Sequence, residues 1–322
     1  MNKMKKQSAK LLEKIKWEEH IINAGSSTDS SLTIGRIGKN RPTALIVAGI
    51  HGDEQPWSGL AIRKMLEIVR ESELIGSINV IPMANPYATD NDSRVSPIDN
   101  LDLNRVFPGD KNGSHSERIA SSIVSEVMNE VDVVIDLHGG GSWCVNSFSF
   151  EFQGSESLAQ AFEAPFIVEG IDRPNTLTGY ARNQGALVTA VEMGGRCKEE
   201  EYWVNKIAKG LQRGLGITGV IKNKNESSVG KSISVGKTSV LRPSRGGVFY
   251  PKLKSGDVGK VVVKGTVLGH LFDSTSFEII ETFQAPFKDT AILLLRPYIT
   301  KIEQGAMTYV VAPLYEKDHD TT

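Results

Sequence analysis

Three apolar runs in the first two thirds of the chain each end at a side chain that can bind a metal ion or carry a proton. Continuous apolar runs are typical of strands that are buried on both faces, as in parallel sheets. Because ligands bind where the carboxyl ends of such strands meet, we expect the polar residues after the runs to lie close together. The runs cover residues 43–50, 131–137 and 186–191, and the residues that follow them are His51, His138 and Glu192.

Helical patterns alternate with these predicted strands. Pro56 lies near the start of an apolar stripe with helical spacing, and Ser114 with Glu117 has the form of a capping box that begins another helix. A third helix is predicted over residues 198–214, with further strands over 77–82 and 165–168. The alternation predicts an α/β fold with a largely parallel sheet.

The pattern changes after a polar linker at residues 223–230. Short β-rich runs, separated by Gly, Pro and Asp, predict a small all-β domain over residues 231–322. The first domain is predicted to cover residues 1–222 and to open with an amphipathic helix at 1–18. Within it, residues 83–112 form a long loop rich in Asn, Asp, Pro and Arg, and loops of that length are usually functional.

The composition argues against several classes of partner. The formal net charge is −1, which favours neither a nucleic acid nor a membrane surface. The chain has two cysteines, no signal peptide and no apolar run of transmembrane length. A cytoplasmic protein with a small-molecule ligand is the simplest expectation, and the sequence is compatible with a homo-oligomer.

A metal site is the first chemical prediction. A catalytic zinc ion takes three protein ligands and leaves a fourth position for water. His51, Glu54 and His138 supply such a set, so we expect one Zn²⁺ per chain, although another divalent metal is also compatible. The alternative is a turn histidine beside a glutamate that stabilises a helix start. The matching positions of His138 and Glu192 after strands favour the metal.

Glu192 is the candidate base. A carboxylate at the end of an apolar strand is costly to bury unless it is used or paired. It could take a proton from water and pass it to a leaving amine. The alternative is a structural ion pair, for instance with Arg196.

Polar residues near these positions are candidates for substrate binding. Arg94, Asn104 and Arg105 lie in the long loop, and Arg182 precedes Glu192 by ten residues. Arginine can hold a carboxylate through two hydrogen bonds or stabilise an oxyanion. Taken singly, each of these arginines is more often a surface residue. Asp102 is equally a candidate to hold a histidine ring in place.

Four segments in this order resemble the succinylglutamate desuccinylase/aspartoacylase family, a deacylase branch of the zinc carboxypeptidase-like fold. The resemblance spans about residues 30–215. The segments are His51-Gly-Asp-Glu54, Asp102-Leu-Asn-Arg-Val-Phe-Pro-Gly109, Asp136-Leu-His-Gly-Gly140 and Val191-Glu-Met-Gly-Gly195.

The resemblance implies a mostly parallel or mixed sheet flanked by helices. It implies zinc on the three ligands named above, with Glu192 as general base and Arg94 polarising the scissile carbonyl. Asn104 and Arg105 would hold the amino-acid carboxylate. Arg182 would meet a carboxylate on the acyl group, and without it an acetyl group is favoured.

The leading hypothesis is a zinc-dependent deacylase that hydrolyses the amide bond of a small N-acyl amino acid of the N-acetyl or N-succinyl type. The motifs are most similar to bacterial members that deacetylate N-acetylated diamino acids, and the C-terminal β domain is expected to cover the mouth of the site. One alternative is a metallocarboxypeptidase acting on peptides or cell-wall fragments. Another is a binding module that has lost catalysis.

Overall fold

The computed structural model describes residues 8–23, 30–129, 131–222 and 232–315, so the predicted linker at 223–230 lies outside the described residues. The α-helices are α1 (Gln55–Ile68), α2 (Pro86–Asp90), α3 (His115–Ile123), α4 (Glu156–Gln160), α5 (Leu177–Asn183) and α6 (Glu200–Ile217). The first strands are β1 (Lys16–Asn23), β2 (Ser30–Gly38), β3 (Thr43–Ala48), β4 (Ser77–Ile81), β5 (Val133–His138), β6 (Val145–Glu151), β7 (Phe166–Glu169) and β8 (Leu187–Gly194). The C-terminal strands are β9 (Ile233–Ser234), β10 (Ser239–Leu241), β11 (Gly247–Pro251), β12 (Val261–Val263), β13 (Val267–Phe272), β14 (Ile279–Gln284), β15 (Asp289–Leu295), β16 (Thr300–Ile302) and β17 (Tyr309–Pro313).

A mixed sheet forms the centre of the molecule. Its core strands β4, β3, β5 and β8 are mutually parallel, while β2 pairs antiparallel with β4 at one side and β6 pairs antiparallel with β8 at the other. The main path through the sheet runs β1-β2-β4-β3-β5-β8-β6-β15-β17-β10. The predicted α/β fold with a mostly parallel or mixed sheet is therefore confirmed.

Helices cover both faces of this sheet, which explains the unbroken apolar runs. In β3, Ala44, Ile46 and Ala48 pack with α1 and α6, whereas Leu45 and Val47 pack with α3 and α5 on the other face. Both faces of the strand are buried, so every position has to be apolar. The helix start at Ser114 has the predicted capping box, a feature that typically stabilises a helix by about 1 kcal/mol.

The strand register brings the predicted site residues to one edge. In the pairing of β5 with β8, His138 lies directly opposite Glu192. Ala48 at the end of β3 pairs with Leu137, so His51 follows β3 at the same carboxyl edge of the sheet. The three apolar runs thus end together, as expected for parallel strands.

The C-terminal part is β-rich, as predicted. Four of its strands, β11, β13, β14 and β16, form a separate antiparallel sheet. The others extend the central sheet, because β15 pairs with β6 through Leu294–Asn146 and Leu295–Val145. The division into domains at 1–222 and 231–322 stays a prediction, since strands of the second range continue the sheet of the first.

The predicted helix at residues 1–18 is wrong for its described part. A single 3-10 turn covers Leu11–Glu13, and β1 begins at Lys16. Leu11 is buried and donates its backbone N–H to the Val69 carbonyl, while β1 pairs with β2 along its length. The burial of Leu11 and the pairing of β1 with β2 therefore determine the local structure, and the helical spacing of the apolar residues does not. Strands β2 and β6 were not predicted.

No described helix combines the length and the apolar composition that crossing a membrane requires. Cys144 and Cys197 are both free and buried.

Candidate metal centre and active site

His51, Glu54 and His138 meet in a buried cluster at the carboxyl edge of the sheet. Nδ1 of His51 lies 2.9 Å from Oε1 of Glu54, and Nδ1 of His138 lies 2.9 Å from Oε2 of the same carboxylate. The two Nδ1 atoms are 3.2 Å apart. One donor atom from each residue therefore points to a common centre, with all three within 4.8 Å of one another.

A tight turn after β3 aligns the first two of these side chains. His51 has extended backbone, and Gly52–Glu54 form one 3-10 turn that leads into α1. A Cβ at Gly52 would lie 2.0 Å from the carbonyl carbon of Ala88, so only glycine fits against this neighbouring segment. The spacing in His51-Gly-Asp-Glu54 therefore reflects a backbone turn that points both side chains in the same direction.

Each histidine ring also contacts an aspartate through its Nε2 atom, on the side of the ring away from Glu54. Nε2 of His51 lies 3.2 Å from Asp102, and Nε2 of His138 lies 2.9 Å from Asp136. A proton on Nε2 satisfies these carboxylates and leaves the Nδ1 lone pairs directed at the centre. Metal-binding histidines are usually oriented in this way, and Asp102 contacts a histidine ring as predicted.

The electrostatic field of the cluster favours a cation. Burial opposes charge on His138, but Asp136 and Glu54 outweigh it and raise the pKa of the ring well above its ordinary value. Burial likewise opposes ionisation of Glu54, yet the two histidines lower the pKa of this carboxyl. A field that stabilises a proton on a buried ring also stabilises a metal ion that replaces it.

The donor set fits zinc. Two imidazole nitrogens and one carboxylate are the protein ligands of the catalytic zinc ion in several peptidases. Gly139 donates its backbone N–H to Oε2 of Glu54 over 3.2 Å, which orients that carboxylate further. Among the described residues, these three form the group of His, Cys, Asp and Glu side chains whose donor atoms converge closely enough for a metal.

Glu192 lies beside His138 and reaches the site from the next strand. Its Oε2 accepts a hydrogen bond of 2.7 Å from the side-chain amide of Asn146, and the residue stays partly exposed. Burial raises the pKa of Glu192, while His138 and Asn146 act in the opposite direction. The alternative ion pair with Arg196 is wrong, because Arg196 forms two hydrogen bonds of 2.7 Å with Asp92.

The glycines after His138 make room for protein atoms. A Cβ at Gly140 would lie 2.0 Å from the Cys144 carbonyl oxygen, and one at Gly141 would lie 2.1 Å from Asp53. Asp53 accepts a hydrogen bond from the Ser142 backbone N–H over 3.1 Å. These contacts join the loop after β5, which follows His138, to the turn after β3, which carries His51 and Glu54. They therefore hold the three side chains of the cluster together.

Arg94 lies at the outer side of the cluster. Its guanidinium donates to Asp102 over 2.9 Å and lies 3.3 Å from Nδ1 of His51 and 3.7 Å from Glu54. Its side chain is 48% exposed, so it borders both the metal ligands and solvent. A cation at this position can face a carbonyl oxygen on a substrate near the metal centre.

Asn104 and Arg105 occupy different environments. Asn104 is buried: its amide nitrogen contacts Asp136 and His138, and its oxygen accepts the backbone N–H of Leu177. Arg105 is exposed and donates to the Asn104 carbonyl over 2.6 Å. Asn104 thus helps to position the ring of His138.

Arg182 makes its contacts away from the cluster. It lies near the end of α5, with Nη1 4.0 Å from Asp172 and the guanidinium carbon 6.0 Å from the centre of the Phe152 ring. The structure does not bring it into contact with the metal ligands or with Glu192, and its substrate-binding role stays a prediction.

A mixed α/β sheet with a His-Glu-His cluster and a further glutamate at its carboxyl edge defines the carboxypeptidase-like class of hydrolases. Residues 40–216, more than half of the chain, match the succinylglutamate desuccinylase/aspartoacylase catalytic domain. The chain therefore belongs to this family of N-acyl amino acid amidohydrolases, and the resemblance seen in the sequence motifs is confirmed.

Individual relatives extend the similarity over most of the chain. An N-alpha-acetyl-L-2,4-diaminobutyric acid deacetylase of Halomonas elongata is 26% identical over 291 residues, which are 85% of this chain and 83% of the relative. A succinylglutamate desuccinylase structure from Silicibacter sp. has a TM-score of 0.79 at 22% identity, covering 93% of this chain and 95% of the other. The product-bound ectoine utilization protein of Ruegeria pomeroyi has a TM-score of 0.78 at 23% identity, with the same coverages.

Asn146 is a site residue that the sequence motifs did not identify. It lies in β6, one of the strands that were not predicted, and no motif marks it. An alternating polar and aromatic pattern in Val145-Asn-Ser-Phe-Ser-Phe-Glu151 is the signal that could have located the strand. Its pairing partner would still have been unknown.

Replacement of Asn146 by alanine is expected to lower kcat by about 10- to 100-fold, the usual cost of losing a residue that orients an active-site group. The amide holds the Glu192 carboxylate at 2.7 Å, and its loss leaves a partly buried carboxylate without this donor. Steady-state kinetics and metal analysis of the purified variant check the result. A fall in zinc content in parallel with activity would instead place Asn146 in the metal site.

Proposed function

We propose that this protein is a zinc-dependent deacylase that cleaves the amide bond of a small N-acyl amino acid, with an N-acetylated amino acid as the preferred substrate class. The observation that supports this most strongly is the convergence of His51, Glu54 and His138 beside Glu192. Family membership supports the amide as the bond that is cleaved.

When bound, zinc supplies Lewis-acid chemistry that lowers the pKa of water to near neutrality and polarises an amide carbonyl. His51, Glu54 and His138 would hold the ion, and Asp102 and Asp136 keep the two rings in the required orientation. Two imidazoles and one carboxylate are a ligand set that fits zinc.

Glu192 supplies the proton transfer in this scheme. Its carboxylate takes a proton from the attacking water and delivers it to the nitrogen of the leaving amino acid. Partial burial raises the pKa of the Glu192 carboxyl, which favours return of the proton after it has been taken from water. Asn146 fixes one oxygen, which leaves the other free to face water.

The remaining polar residues would bind the substrate. We assign Arg94 to the oxygen of the scissile carbonyl, because its guanidinium lies next to the metal ligands. Asn104 and Arg105 are proposed to hold the amino-acid carboxylate. Arg182 makes its contacts with Asp172 and Phe152, away from the metal-ligand cluster, and a site without an arginine for an acyl carboxylate favours acetyl over succinyl.

Similarity to the Halomonas deacetylase supports the same choice of acyl group. That relative acts on an acetylated diamino acid, and the similarity covers 85% of this chain. We therefore propose Nα-acetylated diamino acids as the first substrates to test.

A hydrolysis screen tests the proposal. The zinc-loaded full-length protein is incubated with acetyl, succinyl and longer N-acyl amino acids and with short peptides, and released amine is measured. Cleavage of acetylated amino acids, at least about tenfold faster than succinylated ones, is the expected result. Cleavage of peptides without cleavage of any N-acyl amino acid would establish a carboxypeptidase instead.

A further inference from the structure

A buried tryptophan lies against the residues that follow His138 and Glu192. Trp57 is in the first turn of α1, three residues after Glu54, and it is 2% exposed. It belongs to the apolar core that also contains Met193 of β8. Its side chain therefore approaches the strand ends from the core of the protein.

The indole ring packs directly against the backbone of two glycines. A Cβ at Gly139 would lie 2.8 Å from Nε1 of Trp57 and 3.1 Å from its Cζ2. A Cβ at Gly194 would lie 2.9 Å from both Cδ1 and Nε1. Gly139 directly follows His138, and Gly194 lies two residues after Glu192. A larger residue at either glycine would therefore have to displace the ring or the strand end.

The two strand ends that the indole contacts are also joined to each other. β5 and β8 pair in register up to His138 and Glu192. Beyond that pair, Gly140 donates its backbone N–H to the Gly194 carbonyl over 2.9 Å. Because Trp57 contacts a residue on each strand, it limits how far the two ends can shift relative to each other.

Gly139 is held on two sides by the segment that begins α1. Its backbone N–H donates to Oε2 of Glu54 over 3.2 Å, while the indole of Trp57 packs against its Cα. The same carboxylate oxygen of Glu54 lies 2.9 Å from Nδ1 of His138. Residues 54–57 therefore contact both the ring of His138 and the backbone that directly follows it.

The indole contributes its shape and no hydrogen bond. Among the residues that the structure describes, none is a hydrogen-bond partner of Nε1 of Trp57. A buried donor without a partner costs free energy, and a phenylalanine at this position would avoid that cost. The larger ring is therefore used for the volume that it fills against the two strand ends.

We propose that Trp57 is a positioning residue, which fixes the relative placement of His138 and Glu192 through its contacts with Gly139 and Gly194. The inference rests on the proposed function, in which His138 helps to hold zinc and Glu192 transfers the proton. A displacement of about 1 Å in an active site can cost on the order of 100-fold in rate. A contact that restrains the strand ends is therefore expected to act on kcat.

An exchange of size across the contact tests the proposal. Trp57→Phe removes the indole nitrogen and part of the ring, and it is expected to lower kcat about tenfold with KM within about twofold of wild type. Gly139 does not have left-handed backbone, so alanine can adopt its conformation, and Gly139→Ala should lower kcat by a similar factor because its methyl group meets the ring. In the double variant the methyl group fills the space that phenylalanine leaves. There kcat should recover to within about threefold of wild type, whereas independent effects would multiply to about 100-fold.

The Kd for zinc gives a second readout that does not depend on activity. Measured by competition with a chelator, it is expected to rise about tenfold in each single variant, since a displaced His138 binds the metal less well. It should recover in the double variant. Measuring kcat at saturating zinc keeps metal occupancy out of the comparison.

Trp203→Phe is the matched control. Trp203 is a buried tryptophan of the same apolar core. Its atom nearest to a Cβ at Gly194 is its own Cβ, at 3.3 Å, and phenylalanine keeps that atom. This variant should lower Tm and leave kcat and the zinc Kd unchanged.

Two results would overturn the inference. One is a lower Tm in Trp57→Phe and Gly139→Ala with unchanged kcat and zinc Kd, which would reduce the contact to packing. The other is a multiplied loss in the double variant. Should Trp57→Phe fold poorly, Gly139→Ala tests the contact from the other side. Failure of wild-type protein to cleave any N-acyl amino acid would overturn the proposed function, and the zinc Kd values would still test the contact.

Discussion

Replacement of Glu192 by glutamine is expected to lower kcat for amide hydrolysis by about 10²- to 10⁴-fold, the range that a positioned general base contributes. Glutamine keeps the shape of the side chain and can still contact Asn146, but it cannot accept a proton from water. Because Glu192 is not among the predicted metal ligands, the zinc content should stay at one ion per chain. Single-turnover kinetics and metal analysis of the same preparation measure both quantities.

A matched control separates loss of the base from loss of a carboxylate in general. Glu169 lies in β7 and is exposed, so Glu169→Gln should retain wild-type kcat. Undiminished hydrolysis by Glu192→Gln, on any N-acyl amino acid that the wild-type protein cleaves, would falsify the role of Glu192 as general base.

Replacement of His138 by alanine is expected to abolish stoichiometric zinc binding. Two ligands remain, and the buried Asp136 loses its ring partner at 2.9 Å. In the wild-type protein, zinc at roughly 1,000 times its Kd should stabilise the fold by about 4 kcal/mol through mass action. This stabilisation, measured as the rise in Tm when zinc is added to metal-free protein, should vanish in the variant.

Two further variants make the metal experiment decisive. Glu54→Gln removes the anionic ligand with little change of shape, so it tests the site even where His138→Ala folds poorly. His270 lies in β13 next to Thr282, in the separate antiparallel sheet, and His270→Ala should keep the zinc-dependent rise in Tm. A zinc response preserved in both His138→Ala and Glu54→Gln would mean that the metal binds elsewhere.

The core of the fold was predictable from local sequence because both faces of the parallel strands are buried. The mainly apolar runs at β3, β5 and β8 follow from packing against helices on each side. The flanking strands β2 and β6 carry polar residues among the apolar ones, and each pairs with a strand about 40 residues further along the chain, β4 and β8 respectively. Strand β1 likewise depends on its pairing with β2. The apolar residues at 11–17 have helical spacing, so the sequence predicted a helix there instead.

The candidate site was predictable to the extent that its residues lie in short motifs. His51, Glu54, His138 and Glu192 each follow or end a recognisable strand, and the structure places them together. Asn146, which lies outside such motifs on an unpredicted strand, was missed. Arg182 lies in α5, a helix that was not predicted, and spacing along the chain could not show that it lies near Asp172.

The sequence by itself determined the fold class, the three residues of the candidate metal centre and the candidate base, because parallel strands bring their carboxyl ends to one edge whatever lies between them. Only the tertiary structure decided which of the nearby side chains contact them. Asp102 contacts His51, Asp136 contacts His138, and Asn146 donates to Glu192. The contact between Asn146 and Glu192 depends on the antiparallel pairing of β6 with β8, whose register no local pattern of residues encodes.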